Sequence, residues 1–156
     1  MSVVDYPDLS QRIAALCAGE TDEIALMASI SCEVYHSDKR FDWVGFYRNM
    51  GDETLKIGPY QGGHGCLDIL FSRGVCGAAA RLGETQLVPD VDAFEGHIAC
   101  ASSTRSELVI PFWRRDGSLV GVFDLDSDLP DAFTQKDAEA LTQILATAFN
   151  SPRSGR

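Results

Sequence analysis

Two apolar segments, residues 106–113 and 119–125, flank the polar stretch Arg114-Arg-Asp-Gly-Ser118. This is the pattern of a β-hairpin: strand-forming runs bounded by a turn with Asp-Gly at its centre. A second hairpin lies upstream. Residues 43–47 are strand-like, Asn49-Met-Gly-Asp-Glu53 supplies the turn, and residues 54–60 return. The chain ends have helical periodicity instead. A short helix is expected over residues 9–16. Thr21 is expected to cap a second, with an apolar stripe of Ile24, Met27, Ala28, Val34 and Tyr35. Thr134 opens a last helix, with Asp137 as its capping-box partner and Ala140, Leu141, Ile144, Leu145 and Ala148 on one face. Between the hairpins, residues 62–103 are loop-rich, with short apolar pieces at 67–71 and 86–88. Helices at both ends of hairpin-connected strands specify an α+β domain on an antiparallel sheet.

At 156 residues this is one domain, 1–156, with a polar tail from about 151. The net charge of −10, with no basic patch, argues against nucleic acid and anionic membranes as partners. No apolar run is long enough to span a bilayer, and Met1-Ser2-Val3-Val4-Asp5 lacks a signal-peptide pattern, so a cytoplasmic protein is expected. In a reducing compartment five cysteines point to catalysis, metal binding or core packing rather than to structural disulfides.

The second hairpin brings three acids together. Residues i and i+2 of a strand share a face, so Asp124 and Asp126 point the same way. If Trp113 pairs with Ser118, Glu107 lies opposite Asp124. If Asp116-Gly117 forms a two-residue turn, Glu107 lies opposite Asp126. Either register gathers all three, and only a three-residue or bulged loop breaks the arrangement. Clustered carboxylates repel unless a proton or a cation joins them. Val120 and Val122 are expected on the same face, which then reads as a pocket wall. In the first hairpin Trp43, Gly45 and Tyr47 share a face, and the two rings with a gap between them would make a flat slot.

Three cysteines stand in glycine-rich turns: Gly62-Gly-His-Gly-Cys66, Arg73-Gly-Val-Cys-Gly77 and Gly96-His-Ile-Ala-Cys100. Accessible thiols in such turns react or bind metal. Cys17 and Cys32 lie in helical runs and read as inert packing residues. Local physics ranks Cys76, at the head of Gly77-Ala-Ala-Ala80, level with Cys100, because a helix N-terminus lowers a thiol pKa. A zinc site from His64, Cys66, Cys76, His97 and Cys100 is the competing use of these residues, although their spacing is unlike paired short knuckles.

These motifs, with Trp43-Val-Gly-Phe-Tyr47, Gly58-Pro-Tyr-Gln-Gly62, Glu84-Thr-Gln86, Ser106-Glu107 and Asp124-Leu-Asp-Ser127, occur in an order that resembles the free methionine-(R)-sulfoxide reductases, which are GAF domains. The resemblance runs from about Thr21 to Phe149. It departs from the family pattern at His64-Gly65, Ser72, Glu95 and Ala101, and none of these removes a cysteine or an acid. It implies a GAF sheet of about six antiparallel strands with packed helices, often as a homodimer. By position it makes Cys100 the nucleophile, Cys66 its resolving partner and Cys76 an assisting thiol. It makes Trp43, Tyr47, Glu107, Asp124 and Asp126 the substrate-binding residues. The implied substrate is free methionine-(R)-sulfoxide, the reductant thioredoxin, with no cofactor and no metal. A non-catalytic GAF sensor of small molecules or redox state is the alternative.

Overall fold

The computed structural model describes residues 4–98 and 100–150, so the tail expected from residue 151 lies outside the described residues. The element order is α1 (Tyr6–Leu16), α2 (Glu23–Tyr35), β1 (Trp43–Asn49), β2 (Thr54–Gln61), β3 (Asp68–Leu70), α3 (Gly74–Leu82), β4 (Gln86–Val88), a 3-10 turn (Val91–Ala93), β5 (Ser106–Trp113), β6 (Leu119–Ser127) and α4 (Gln135–Asn150). The strands form one antiparallel six-stranded sheet in the order β3-β2-β1-β6-β5-β4. Both expected hairpins are present, β1–β2 and β5–β6, and they join through the central β1–β6 pair.

One sheet face carries α1, α2 and α4. Between them lies the larger core, with Leu9, Ile13, Leu26, Met27, Ile30, Phe46, Phe112, Phe123, Leu141 and Phe149 all buried. Phe46 packs on Phe123 at 4.5 Å and Phe112 on Phe149 at 4.7 Å between ring centroids. Each such side chain stabilises the fold by about 1.5–3 kcal/mol through removal from water. The other face holds α3 and the connecting loops over a second cluster that includes Trp43, Tyr47, Leu55, Val75, Cys76, Val109 and Val122. Among the described residues no helix is long and apolar enough to cross a membrane.

The helix starts differ from expectation where a better cap competes. Asp5 caps α1 by accepting from the Asp8 N–H at 3.0 Å, and Pro7 in the first turn lacks the N–H that would need a partner, so the helix starts at Tyr6 rather than residue 9. Asp22, not Thr21, caps α2, accepting from the N–H groups of Ile24 and Ala25. The buried face of α2 is Leu26, Met27, Ile30, Ser31 and Val34, while Ile24 and Ala28 are exposed. This helix is apolar on most sides, so its sequence leaves the rotational phase open. Cys17 and Cys32 are half-buried free thiols at the edges of the helical layer rather than within the core.

The capping box at α4 is formed: Asp137 Oδ2 accepts from the Thr134 N–H and Thr134 Oγ1 from the Asp137 N–H. Asp137 also ties α4 to the rest of the domain. It accepts from the Tyr6 hydroxyl at 2.7 Å and from Arg40 Nη1 at 3.0 Å, and all three residues are buried. Burial alone would raise the Asp137 pKa; the bonds from Arg40, Tyr6 and the Thr134 backbone outweigh it and hold the carboxyl below its usual range. In the middle region expected to be loop-rich, residues 74–82 form α3. Gly77 lets this helix touch the end of β3, because a Cβ there would fall 2.6 Å from the Leu70 carbonyl oxygen.

Candidate active site

The three acids do meet. Glu107 on β5 pairs directly with Asp126 on β6, and Asp124 pairs with Val109 one row along. The turn is not the two-residue one that this register needs. The Arg114 N–H bonds to the Ser118 carbonyl and the Gly117 N–H to the Arg114 carbonyl, with Gly117 at φ +89°, so residues 115–117 make a three-residue loop. A bulge restores the pairing: Trp113 pairs with Leu119 but Phe112 with Gly121, leaving Val120 as an extra residue on β6. The two irregularities cancel. The bulge also overturns one expectation, since Val120 packs in the helix-side core and only Val122 shares the face of the aspartates.

On the far side of β6, Asp126 pairs with Trp43, Asp124 with Gly45 and Val122 with Tyr47. The aromatic residues therefore stand in the same rows as the acids. They do not leave an open slot over Gly45. The space that a Cβ would take there lies 2.3 Å from the Tyr60 Cβ and 2.7 Å from the Trp43 ring. Trp43 stacks on Tyr60 at 5.2 Å and on Tyr47 at 6.0 Å, so the rings form one continuous wall. The Trp43 indole N–H donates to the Gly63 carbonyl at 2.9 Å, which pins the loop carrying Cys66 over that wall.

That loop and the segment before β5 are joined by a disulfide between Cys66 and Cys100, with Cα atoms 5.3 Å apart. The spacing is in the usual range for a bridge. The bridge roofs a cavity of about 40 Å³ lined by Trp43, Tyr47, Cys76, His97, Glu107, Asp124 and Asp126, among others. Cys17, Cys32 and Cys76 are free thiols.

Burial dominates the electrostatics of the floor. Glu107 and Asp124 are 6 % and 4 % exposed, and Asp126 is half-buried. Burial raises all three pKa values well above the usual carboxylate range, and the neighbouring acids add to it: Asp126 acts on Glu107, Glu107 on Asp124, and Asp124 on Asp126. The Cys76 thiol lies beside Glu107 and Asp124, with one ligand atom of each within 4.8 Å of the others, and its pKa is raised well above normal by burial and then by Asp124 and Glu107. Its place in the first turn of α3 does not activate it; burial among acids outweighs the helix dipole. The equal ranking of Cys76 with Cys100 from local sequence is corrected on this point.

Sequence reasoning passed over His97 as part of the pocket's acid–base set. Its Nε2 lies 3.6 Å from Glu107 Oε1, too long for a hydrogen bond. Burial lowers the His97 pKa, against a smaller opposing effect of Asp92, so the ring is neutral and the contact is not an ion pair. Its signal was present in the sequence, three residues before Cys100. Of the residues weighed as a zinc set, Cys66 and Cys100 are occupied by the disulfide. Among the described residues, the metal-ligating atoms that gather are those of Cys76, Glu107 and Asp124.

A GAF-domain family model matches residues 19–149. The chain is 43% identical over 144 residues to the protein YtsP of Bacillus subtilis, covering 92% of this chain and 88% of the other. It is 40% identical over 141 residues to the free methionine-R-sulfoxide reductase of Escherichia coli, covering 90% and 84%. Among solved structures, the free methionine-R-sulfoxide reductase of Neisseria meningitidis in complex with its substrate superposes with a TM-score of 0.87 at 37% identity, covering 95% and 90% of the two chains. The fold, the order of the motifs and these likenesses agree: the chain belongs to the free methionine-(R)-sulfoxide reductase family of GAF domains.

Proposed function

We propose that the chain reduces free methionine-(R)-sulfoxide to methionine. The observation that carries this reading is a disulfide, Cys66–Cys100, at the mouth of a cavity floored by the clustered carboxyls of Glu107, Asp124 and Asp126, whose pKa values burial raises. The E. coli and N. meningitidis proteins, named for this activity, support it.

Cys100 attacks the sulfoxide sulfur as the thiolate, a carboxyl of the floor protonates the oxygen, and methionine leaves a cysteine sulfenic acid behind. The Cys66 thiol condenses with the sulfenic acid, forming the disulfide and releasing water. An external dithiol, for which we propose thioredoxin, then reduces the bridge by exchange. The remaining floor carboxylates hold the α-ammonium of the free amino acid, while Trp43 and Tyr47 receive the S-methyl end. Peptide-bound methionine sulfoxide lacks that charge, which accounts for selection of the free amino acid. Cys76 takes the assisting role as a neutral thiol beside Asp124, its raised pKa keeping the proton on sulfur. The 40 Å³ left in the bridged form is room for a few waters and too little for an amino acid, so reduction of the bridge precedes the next substrate.

For this chemistry we propose a reducing compartment, the cytoplasm, as the setting. Pairing into a homodimer, carried over from the family, is read by light scattering as a doubling of the 17.0 kDa chain mass. The activity is tested by giving pure protein free methionine sulfoxide with a thioredoxin system and separating the epimers. Consumption of the R epimer alone is expected; no turnover of either epimer overturns the reading.

A further inference from the structure

We propose that Cys76, Glu107 and Asp124 form a binding site for a soft divalent cation, zinc or cadmium, which competes with substrate rather than serving as a cofactor. One ligand atom from each of the three lies within 4.8 Å of the others, and all three residues are buried. They come from two adjacent strands and the first turn of α3, so the backbone already holds them together.

A separate observation points to a ligand. Asp124 is 4 % exposed and lines the cavity, yet its buried Oδ1 has no hydrogen-bond partner among the described residues. A buried oxygen left this way is costly unless something positive reaches it. In the proposed reaction that is the substrate ammonium, on which the competition proposed here rests. Between turnovers a metal ion meets the same need.

The donor set decides which ion. One thiolate with two carboxylates suits zinc or cadmium, whereas magnesium and calcium take oxygen ligands. Three protein ligands leave a fourth position of a tetrahedral site for water or for Asp126. Bringing the three atoms to the roughly 3.5 Å separation found around tetrahedral zinc takes about an ångström of side-chain movement. All three groups carry raised pKa values, so the ion displaces protons and its affinity rises with pH. Tyr47, His64, His97 and Asp126 are the other titratable groups lining the cavity around the site.

The test uses a Cys17→Ser/Cys32→Ser chain oxidised to the Cys66–Cys100 bridge, which leaves Cys76 as its single thiol. Cadmium titration is followed by the cadmium–thiolate ultraviolet band and by proton release. The expected result is one saturable cadmium per chain with a matching release of protons, absence of the band when Cys76→Ser is added, and affinity weakened by more than about tenfold in Asp124→Asn. Magnesium and calcium should not compete. No band, or a band unchanged in both variants, overturns the proposal. Two variants are used because Cys76 is a core residue and its replacement alone could act through the fold. In the reduced protein, zinc should slow release of methionine in a single turnover and a chelator should restore it. The cadmium measurement reads binding without turnover, so its outcome is separable from that of the reductase assay.

Discussion

Glu107 stands directly opposite Asp126 across the β5–β6 pair, and both carboxyls have raised pKa values, through burial first, with Asp126 adding to the rise at Glu107 and Asp124 to the rise at Asp126. The sign of the linkage follows. These groups bind protons more tightly folded than unfolded, so their contribution is fully present below the ordinary carboxylate pKa of about 4 and is lost as pH rises through the raised values. Asp124→Asn removes part of that strain. It should stabilise the reduced protein by about 1–2 kcal/mol at pH 8, with the gain shrinking towards pH 4. Urea midpoints at the two pH values check this, and a less stable variant at pH 8 would contradict it.

The same substitution should damage activity. Charge-assisted hydrogen bonds contribute about 1.5–3 kcal/mol each, so kcat/KM for free methionine-(R)-sulfoxide should fall on the order of ten- to a hundredfold in Asp124→Asn. N-acetylated substrate should be very poor with wild type, because it has lost the charge that the floor reads. The gap between the two substrates should narrow in the variant. Equal wild-type efficiency on both would show that the acids do not read an ammonium.

Substrate-driven oxidation should join Cys66 to Cys100 and leave Cys17 and Cys32 as thiols. The bridge geometry is already in place, and Cys17 at the C-terminal end of α1 and Cys32 on α2 lie beyond the opposite face of the sheet. Burial and Glu20 raise the Cys17 pKa, which further lowers its reactivity. Non-reducing peptide mapping after one turnover reads the pairing. A bridge containing Cys17 or Cys32 would contradict the assignment.

Asp137→Ala should cost about 3 kcal/mol, because it leaves the buried Arg40 guanidinium with Asp38 as its one remaining carboxylate partner among the described residues and removes the Tyr6 and Thr134 bonds together. The lowered Asp137 pKa adds a pH signature. Its stabilisation is present above the ordinary carboxylate pKa and fades as pH falls through the depressed one. Urea unfolding checks both, with pH 7 and pH 3 compared; a loss below about 1 kcal/mol would show the network to be dispensable.

Much of this was legible in the chain. Strand parity and turn chemistry gave both hairpins, the meeting of Glu107, Asp124 and Asp126, and the Thr134–Asp137 box. Those features depend on residues close in sequence. The three-residue loop with its compensating extra residue Val120 was not legible, because a bulge is settled by packing on both faces of the sheet. Nor was the filled space over Gly45, which depends on Tyr60 arriving from the next strand. Cys76 misled for a similar reason: a helix N-terminus is visible in sequence, whereas burial against Asp124 and Glu107 is a tertiary fact.

The most direct test of the account is methionine released per chain in a single turnover without external reductant, comparing Cys66→Ser with Cys100→Ser. The account predicts one methionine per chain from Cys66→Ser, which then stalls as a sulfenic acid or mixed disulfide, and none from Cys100→Ser. Near-normal release from Cys100→Ser would contradict it and move the nucleophile to another thiol.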